Sequence, residues 1–513
     1  MSIFGSATSR IHQERRDFVD AILNRQDDLL QLASSIHTEA LQCQFFRPRG
    51  HENHFTQGTF NICFFIQFCT GARCVVRIPL RPCLAISSRS KIESEIATMS
   101  LLHEQTKIPI PKIYAYSINE TADPLSTFII MEYIGGEKLS ADRLDNATDQ
   151  EKNSLYKSLA AIYIQLRRLE FPAIGRLVGH AGGYEVKQQV LTVDTNGLEL
   201  EGLNPFTTQL SYHNNKDTLT SAKDYIAMRL QISWTAFLKS RSNVEREMGA
   251  NALYHLHLFH QHVDEWMDPS LDQGPFTLVH GDMGPHNILV DDDMNIMAVI
   301  DWEWSRVVPV QFFTPPLWLT CRSTVSLSAP SSYRLYLMTA LSDFLGVVKA
   351  QELAACGNDL LSGEWAARKE DGGPLVANAL ENWTDIDWFA YRYLSRGKDD
   401  EVDEHVEAFL RADPIRASIA RMKEDDALVT EAMSRLEDDE SRHDSKSRNT
   451  GVADESSRRW TTVLGTDAFP SFQYTKPWTV QSTSVVIVIG VFGLGLYAIG
   501  KRIEIIPNLL NRQ

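Results

Sequence analysis

Apolar residues recur along this chain in two rhythms. From 55 to 134 they come as short runs of strand character. Residues 55–68 read as a strand, a turn at Gly58 and a second strand, 74–78 as a β-branched strand whose one charged member is Arg77, and 128–134 as a buried strand running into Gly135 and Gly136. A helix over 91–102 interrupts them: Ile92, Ile96, Met99 and Leu102 form one stripe, with Glu95 inside it and Glu93 outside. Pro109 and Pro111 exclude its continuation. A lead-in helix over 18–40 is predicted from Phe18, Ile22, Leu29 and Leu32. Past 136 the period lengthens. Helices are predicted over 150–169 (Leu155, Leu159, Ile162 and Leu166 on one face), 221–237, 250–266, 333–352, 383–394 and 405–436, with an irregular insertion over 179–220 holding a hairpin at 191–200.

Within the helical part, 276–279, 288–290 and 296–300 read as short strands around a polar loop, and prolines forbid a regular helix over 309–319. From 438 to 459 almost nothing is apolar, the composition of a disordered linker. Residues 479–500 then carry no charge, and as a helix would reach about 33 Å, enough for a hydrocarbon core near 30 Å. Trp478 and Tyr497 suit interfacial positions, and Lys501 and Arg502 close the run. The chain therefore divides into a lead-in helix (1–50), a small mixed α/β part (51–135), a larger helical part (136–437), a linker (438–478) and a candidate transmembrane helix (479–500).

Composition narrows the partners. A 43% hydrophobic content supports a packed core, and a formal charge of −16 without a basic stripe excludes a nucleic-acid backbone as partner. Seven cysteines without a C-x-x-C pair point to reduced thiols rather than a disulfide or zinc framework. The first eighteen residues lack the apolar core of a secretory signal. Four histidines at 255, 257, 260 and 262 share a helix but match no ligand pattern, and read as solvated or capped.

The candidate chemistry sits at the strand edges of 276–303. Asp282 can accept a hydroxyl proton, while Asn287 and Asp301 offer oxygens for Mg²⁺. His280-Gly281-Asp282-Met283-Gly284-Pro285-His286-Asn287 matches the spacing of a protein-kinase catalytic loop, with Gly281 in place of Arg and Gly284 in place of the usual Lys. Glu95, a carboxylate on a buried helix face, requires a cation, and Arg77 is the one assigned to it.

The form His-Gly-Asp-x-Gly-x-x-Asn, with Asp301-Trp302-Glu303 in place of Asp-Phe-Gly, resembles the aminoglycoside phosphotransferase family, over roughly 57–316. The resemblance implies an α+β, protein-kinase-like bilobal fold: a small mixed α/β N-lobe over a larger, mainly helical C-lobe, with ATP and Mg²⁺ between them. It implies that Asp282 is the catalytic base, that Asn287 and Asp301 are metal ligands, and that Gly58, Arg77, Glu95, and the backbones of Glu132 and Ile134 serve the nucleotide. Arg77 occupies the place of a lysine in that family, and Glu303 is expected to assist the metal through water. No A-P-E element follows, which disfavours a peptide acceptor.

Two functions follow. The first is an ATP-dependent phosphotransferase acting on a hydroxyl of a small molecule, its acceptor and oligomeric state unspecified by the sequence. The second is a catalytically inactive, pseudokinase-like scaffold held at a membrane. Either way the expected localisation is membrane-anchored through 479–500 with the kinase-like domain cytosolic, the alternative being cytoplasmic throughout.

Overall fold

Strand β3 (Asn61–Phe68) buries every second residue, Ile62, Phe64, Ile66 and Phe68, and Phe65 as well, while its neighbour β4 (Arg73–Pro79) is buried at Cys74 and from Val76 to Pro79, so both faces of this pair are largely covered. In the computed structural model, which describes residues 3–36, 41–187, 190–212, 218–240, 248–369, 372–395 and 399–429, the two form the centre of a six-stranded sheet. With β1 (Cys43–Phe45), β2 (Phe55–Gln57), β5 (Ile113–Ile118) and β6 (Thr127–Glu132), the order is β1-β3-β4-β6-β5, and β2 pairs with β3. Ile62, Phe64, Ile66, Val76 and Ile78 point to one face and bury against Ile22, Leu29 and Ala33 from α1 (Ile3–Leu23) and α2 (Gln26–Ser34). Cys63 and Arg77, directly opposite each other in register, point to the other. That face meets α3 (Ser88–Gln105), whose N-cap Ser87 accepts from Ser90 N–H.

The second part is built on α5 (Asp149–Arg167), which follows the short β7 (Glu137–Lys138) and α4 (Ala141–Asp145). A reciprocal Thr148–Glu151 capping box starts α5. Leu155, Leu159, Ile162 and Leu166 on it are all buried, each contributing about 1.5–3 kcal/mol on leaving water. Around it lie β8 (Glu170–Phe171), the hairpin β9–β10 (Arg176–His180, Gly183–Lys187), α6 (Val193–Leu200), α7 (Pro205–Tyr212), α8 (Ala222–Lys239) and α9 (Gly249–Trp266). Further on come α10 (Thr324–Leu327), α11 (Pro330–Met338), α12 (Ala340–Cys356), α13 (Leu360–Arg368), α14 (Gly373–Glu381), α15 (Asp385–Phe389) and α16 (Asp399–Arg411). Two small sheets carry the loops of interest. One has the order β14-β11-β8, with β11 at Phe276–Val279 and β14 at Arg306–Pro309; the other runs β13-β12-β7, with β12 at Ile288–Val290 and β13 at Ile296–Val299. All of this lies in one compact unit, Ile11–Asp425, apart from the first residues of α1.

Several expectations are corrected. The lead-in is two helices broken near Asn24, and the segment up to 50 also supplies edge strand β1. The hairpin expected at 191–200 is helix α6, because Thr192 and Thr195 cap each other reciprocally; the hairpin lies earlier, at 176–187. The helix expected over 333–352 breaks at Thr339, whose ψ of −96° is not helical. The strands expected around the polar loop, β11 and β12, are present and belong to different sheets. The linker and the apolar run 479–500 lie outside the described residues; among the described residues no helix is long and apolar enough to cross a membrane.

Candidate functional site

Strand β11 delivers His280 into the interior, where its two nitrogens fix the loop. Nε2–H donates to Ile300 O at 2.9 Å, and Nδ1 accepts from Asp282 N–H at 3.2 Å. That pairing requires the neutral Nε2–H tautomer, and burial holds the imidazole down to about 4, so it stays neutral. Gly281 follows with φ +86°; a Cβ there would lie 2.1 Å from Trp304 O and 2.6 Å from Arg306 Nη1. The glycine that replaces the kinase Arg is thus sterically required. The guanidinium packed against it is that of Arg306, paired with Glu381 on α14.

Asp282 emerges from this bend with its side chain 39% exposed. Oδ2 accepts both Asn287 Nδ2–H (3.1 Å) and His286 Nε2–H (3.2 Å), leaving Oδ1 out of both bonds. Partial burial pushes the Asp282 carboxyl up, but the hydrogen bond and charge of His286, with His280 and Asn287, outweigh it and hold the group below the usual carboxylate range. Gly284 makes room for this arrangement, since a Cβ there would lie 2.6 Å from the His286 ring.

Asn287 ends a 3₁₀ turn (Pro285–Asn287) and donates Nδ2–H to Asp282 O at 3.0 Å as well. The β12–β13 pairing, continued by Ile300 N–H to Asn287 O at 2.9 Å, brings it beside Asp301. Asp301 adopts a left-handed backbone (φ +68°, ψ +54°) and accepts from Arg77 Nη1 at 2.8 Å. Burial and the neighbouring Glu303 raise the Asp301 carboxyl to about 6, although nearly a third of the side chain is exposed. The Asn287 amide oxygen and the second Asp301 oxygen are hard donors suited to Mg²⁺, which keeps waters and phosphate oxygens for the rest of its shell. Among the described residues there is no group of three or more His, Cys, Asp or Glu that could hold a metal ion.

Arg77 is more engaged than the sequence suggests. Nη2 is bonded to Glu95 and stands 3.7 Å from Glu303 Oε2, while Nη1 holds Asp301. Burial opposes its charge, but the three carboxylates more than offset that and keep it protonated. The same crowding shows on Glu95, where burial and the nearby carboxylates against the pull of Arg77 leave it at about 7; its Oε1 is buried without a partner. Glu303 Oε2 accepts from Asn61 Nδ2–H at 2.8 Å and from Lys91 Nζ. Glu303, expected to assist the metal through water, thus has Oε2 held by protein donors.

The remaining predicted residues lie in or next to the six-stranded sheet. Gly58 N–H donates to Asn61 O (2.8 Å) and its carbonyl accepts from Arg15 (2.8 Å), so its amide is used within the turn. Glu132 ends β6, its N–H bonded to Lys112 O at 2.8 Å, and Ile134 follows beyond the strand. Sequence reasoning missed Lys91, Asn61 and His286. Lys91 stands one turn before Glu95, on the same helix face, and that spacing was its only signal.

Residues 64–312 match the model of the phosphotransferase enzyme family. A subtelomeric hrmA-associated cluster protein of Aspergillus fumigatus is 30% identical over 138 residues, 27% of this chain and 26% of that protein. Clavilactone A biosynthesis cluster protein Y of Ampulloclitocybe clavipes is 27% identical over 241 residues, covering 46% of this chain and 55% of its own length. The mitochondrial altered inheritance of mitochondria protein 9 of Debaryomyces hansenii is 31% identical over 128 residues, 24% of this chain and 20% of that protein. The chain thus spans only about a fifth to a little over a half of the length of these curated relatives. Among solved structures, a streptomycin–ATP–APH(2″)-IIa ternary complex superposes with a TM-score of 0.33 at 16% identity, over 59% of this chain and 82% of that one. Macrolide 2′-phosphotransferase type I gives 0.37 at 15%, over 73% and 96%.

Proposed function

Because residues 64–312 match the model of the phosphotransferase enzyme family, we propose that the chain transfers the terminal phosphoryl group of ATP to a hydroxyl of a small molecule. The observation that carries this reading is the Asp282 carboxylate: ionised, partly exposed, with both protein donors on Oδ2 and Oδ1 directed to no protein partner in those bonds. As the acceptor oxygen bonds to the γ-phosphorus, its proton passes to Asp282 Oδ1; the bond to the β–γ bridging oxygen breaks and ADP leaves. Asn287 and Asp301 would hold Mg²⁺, which neutralises phosphate charge when bound. Arg77, already protonated beside Glu95, supplies a fixed positive charge for the phosphates.

General-base contributions run to about 10²–10⁴-fold. Asp282→Asn is therefore expected to lower transfer from labelled ATP into a metabolite extract by at least about a hundredfold while ATP affinity stays within threefold of wild type. Undiminished transfer by this variant refutes the mechanism.

One observation favours the second reading, an inactive scaffold: Arg77 occupies an oxygen of Asp301. The same Asp282→Asn comparison separates the two, since a scaffold shows no Asp282-dependent transfer at all. Membrane attachment through 479–500 belongs to the proposal on sequence alone, with the kinase-like domain on the cytosolic side. Full-length protein should then partition with membranes and a chain truncated after Trp460 should not; equal partitioning of both without detergent removes the anchor.

A further inference from the structure

The carboxylate two residues beyond Asp301 is the strongest feature that the phosphotransfer reading leaves unused. Glu303 Oε2 gathers Lys91 Nζ from α3 and Asn61 Nδ2–H at 2.8 Å from the exit of the glycine turn, with Arg77 Nη2 from β4 at 3.7 Å. The side chains of Lys91 and Glu303 are 1% and 2% exposed. Two aromatic rings close over them: Lys91 Nζ lies 5.0 Å from the centroid of Trp304 and 5.5 Å from that of Phe60, and the two rings meet edge to face at 4.8 Å. Three segments far apart in sequence are tied at one atom: the start of β3, the first turns of α3, and the loop after β13.

We propose that Lys91 and Glu303 form a latch that positions the nucleotide site, and that Glu303 is a positioning residue and not a metal ligand. The argument is one of charge. A buried ammonium retains its charge only with a carboxylate against it, and breaking such a pair by removing one partner is more damaging than removing both. If Glu303 turned to a metal, Lys91 would be left charged between Phe60 and Trp304. If Lys91 were lost, Glu303 would draw on the remaining nearby cation, Arg77, at the expense of Asp301 and Glu95. The latch thus lets Arg77 divide itself between Glu95 and Asp301, and it fixes the glycine turn through Asn61.

The inference rests on the phosphotransfer reading, and the experiment separates the two. Full-length wild type, Lys91→Met, Glu303→Gln and the double variant are compared for ATP affinity by equilibrium titration, with Mg²⁺ and with chelator, for the Mg²⁺ dependence of that affinity, and for thermal midpoint. Each single variant should weaken ATP binding at least tenfold, both with Mg²⁺ and with chelator. The double variant, which removes both charges together, should recover to within threefold of wild type. A Mg²⁺ half-saturation raised in Glu303→Gln and equally in the double variant would make Glu303 a ligand and overturn the latch. Lowered midpoints with ATP affinity unchanged would overturn it too, as a merely structural pair. Should Lys91→Met not fold, Glu303→Gln and the double variant still decide. Wild type that binds no ATP brings down the phosphotransfer reading and the latch with it; wild type that binds, with all variants binding alike, removes the latch alone.

Discussion

Replacing Gly281 by Ala tests whether the bend that presents Asp282 depends on a missing side chain. Two costs add. The backbone there sits at φ +86°, and a left-handed conformation costs an L-residue about 1–2 kcal/mol. The new Cβ would also stand 2.1 Å from Trp304 O, a main-chain atom that cannot swing aside, and overpacking of that kind costs about 1–3 kcal/mol or more. The sum, about 2–5 kcal/mol, is a large part of a domain stability of about 5–15 kcal/mol. Gly50 supplies the internal control: its φ is +77°, but a Cβ there meets nothing within 4 Å, so Gly50→Ala carries the conformational cost alone. Denaturant unfolding of wild type and both variants gives the two stability losses, and their difference isolates the clash. Any relief of the clash moves Asp282, the next residue, so transfer should fall by about a hundredfold, the cost of a displacement near 1 Å. A Gly281→Ala protein no less stable than Gly50→Ala, with wild-type transfer, refutes the reasoning.

Two further outcomes follow from the site. Arg77→Lys looks conservative by resemblance, but one ammonium cannot serve Glu95 and Asp301 as the two arms of the guanidinium do, so ATP affinity should fall about tenfold, close to Arg77→Ala; a Lys variant that binds as wild type contradicts this. His286→Ala removes the hydrogen bond and charge that hold Asp282 low, so the carboxyl rises and the acid limb of kcat/KM should move to higher pH, whereas His286→Gln, which keeps a donor, should move it less; a limb at the same pH in both variants excludes His286 as its cause.

Much of the site was legible because its residues are local to one another. His280, Asp282 and Asn287 lie within eight positions, and Asp301 follows one short strand pair later, so spacing alone could group them. Arg77 and Glu95 were legible for a different reason: a lone charge in a β-branched strand and a carboxylate inside an apolar helical stripe each demand a partner. Lys91 was not, because a lysine on a helix ordinarily sends its ammonium to water, and its partner Glu303 is 212 positions away. Nor did Gly281 announce itself. Its need for an absent Cβ comes from Trp304 O and Arg306, which only the pairing of β11 with β14 brings near. The misread hairpin at 191–200 has a similar origin: the mutual capping of Thr192 and Thr195, a side-chain interaction, starts a helix that the apolar pattern alone does not show.

The ties that Glu303 and Asp301 make to Asn61, Arg77 and Lys91 bear on how a nucleotide gets in and out. Every one of them bridges the six-stranded part and the helical part of the molecule. Drawing the two parts apart as rigid bodies would separate buried opposite charges where little water can replace the lost partner, a cost of several kcal/mol per ion. Motion is cheaper along 133–136, which connect β6 to β7. For a chain that uses ATP as proposed, exchange of ATP for ADP would then proceed as a pivot about these ties. Because the charges there are shielded from solvent ions, added salt should change its rate much less than it would for a cleft closed by surface ion pairs.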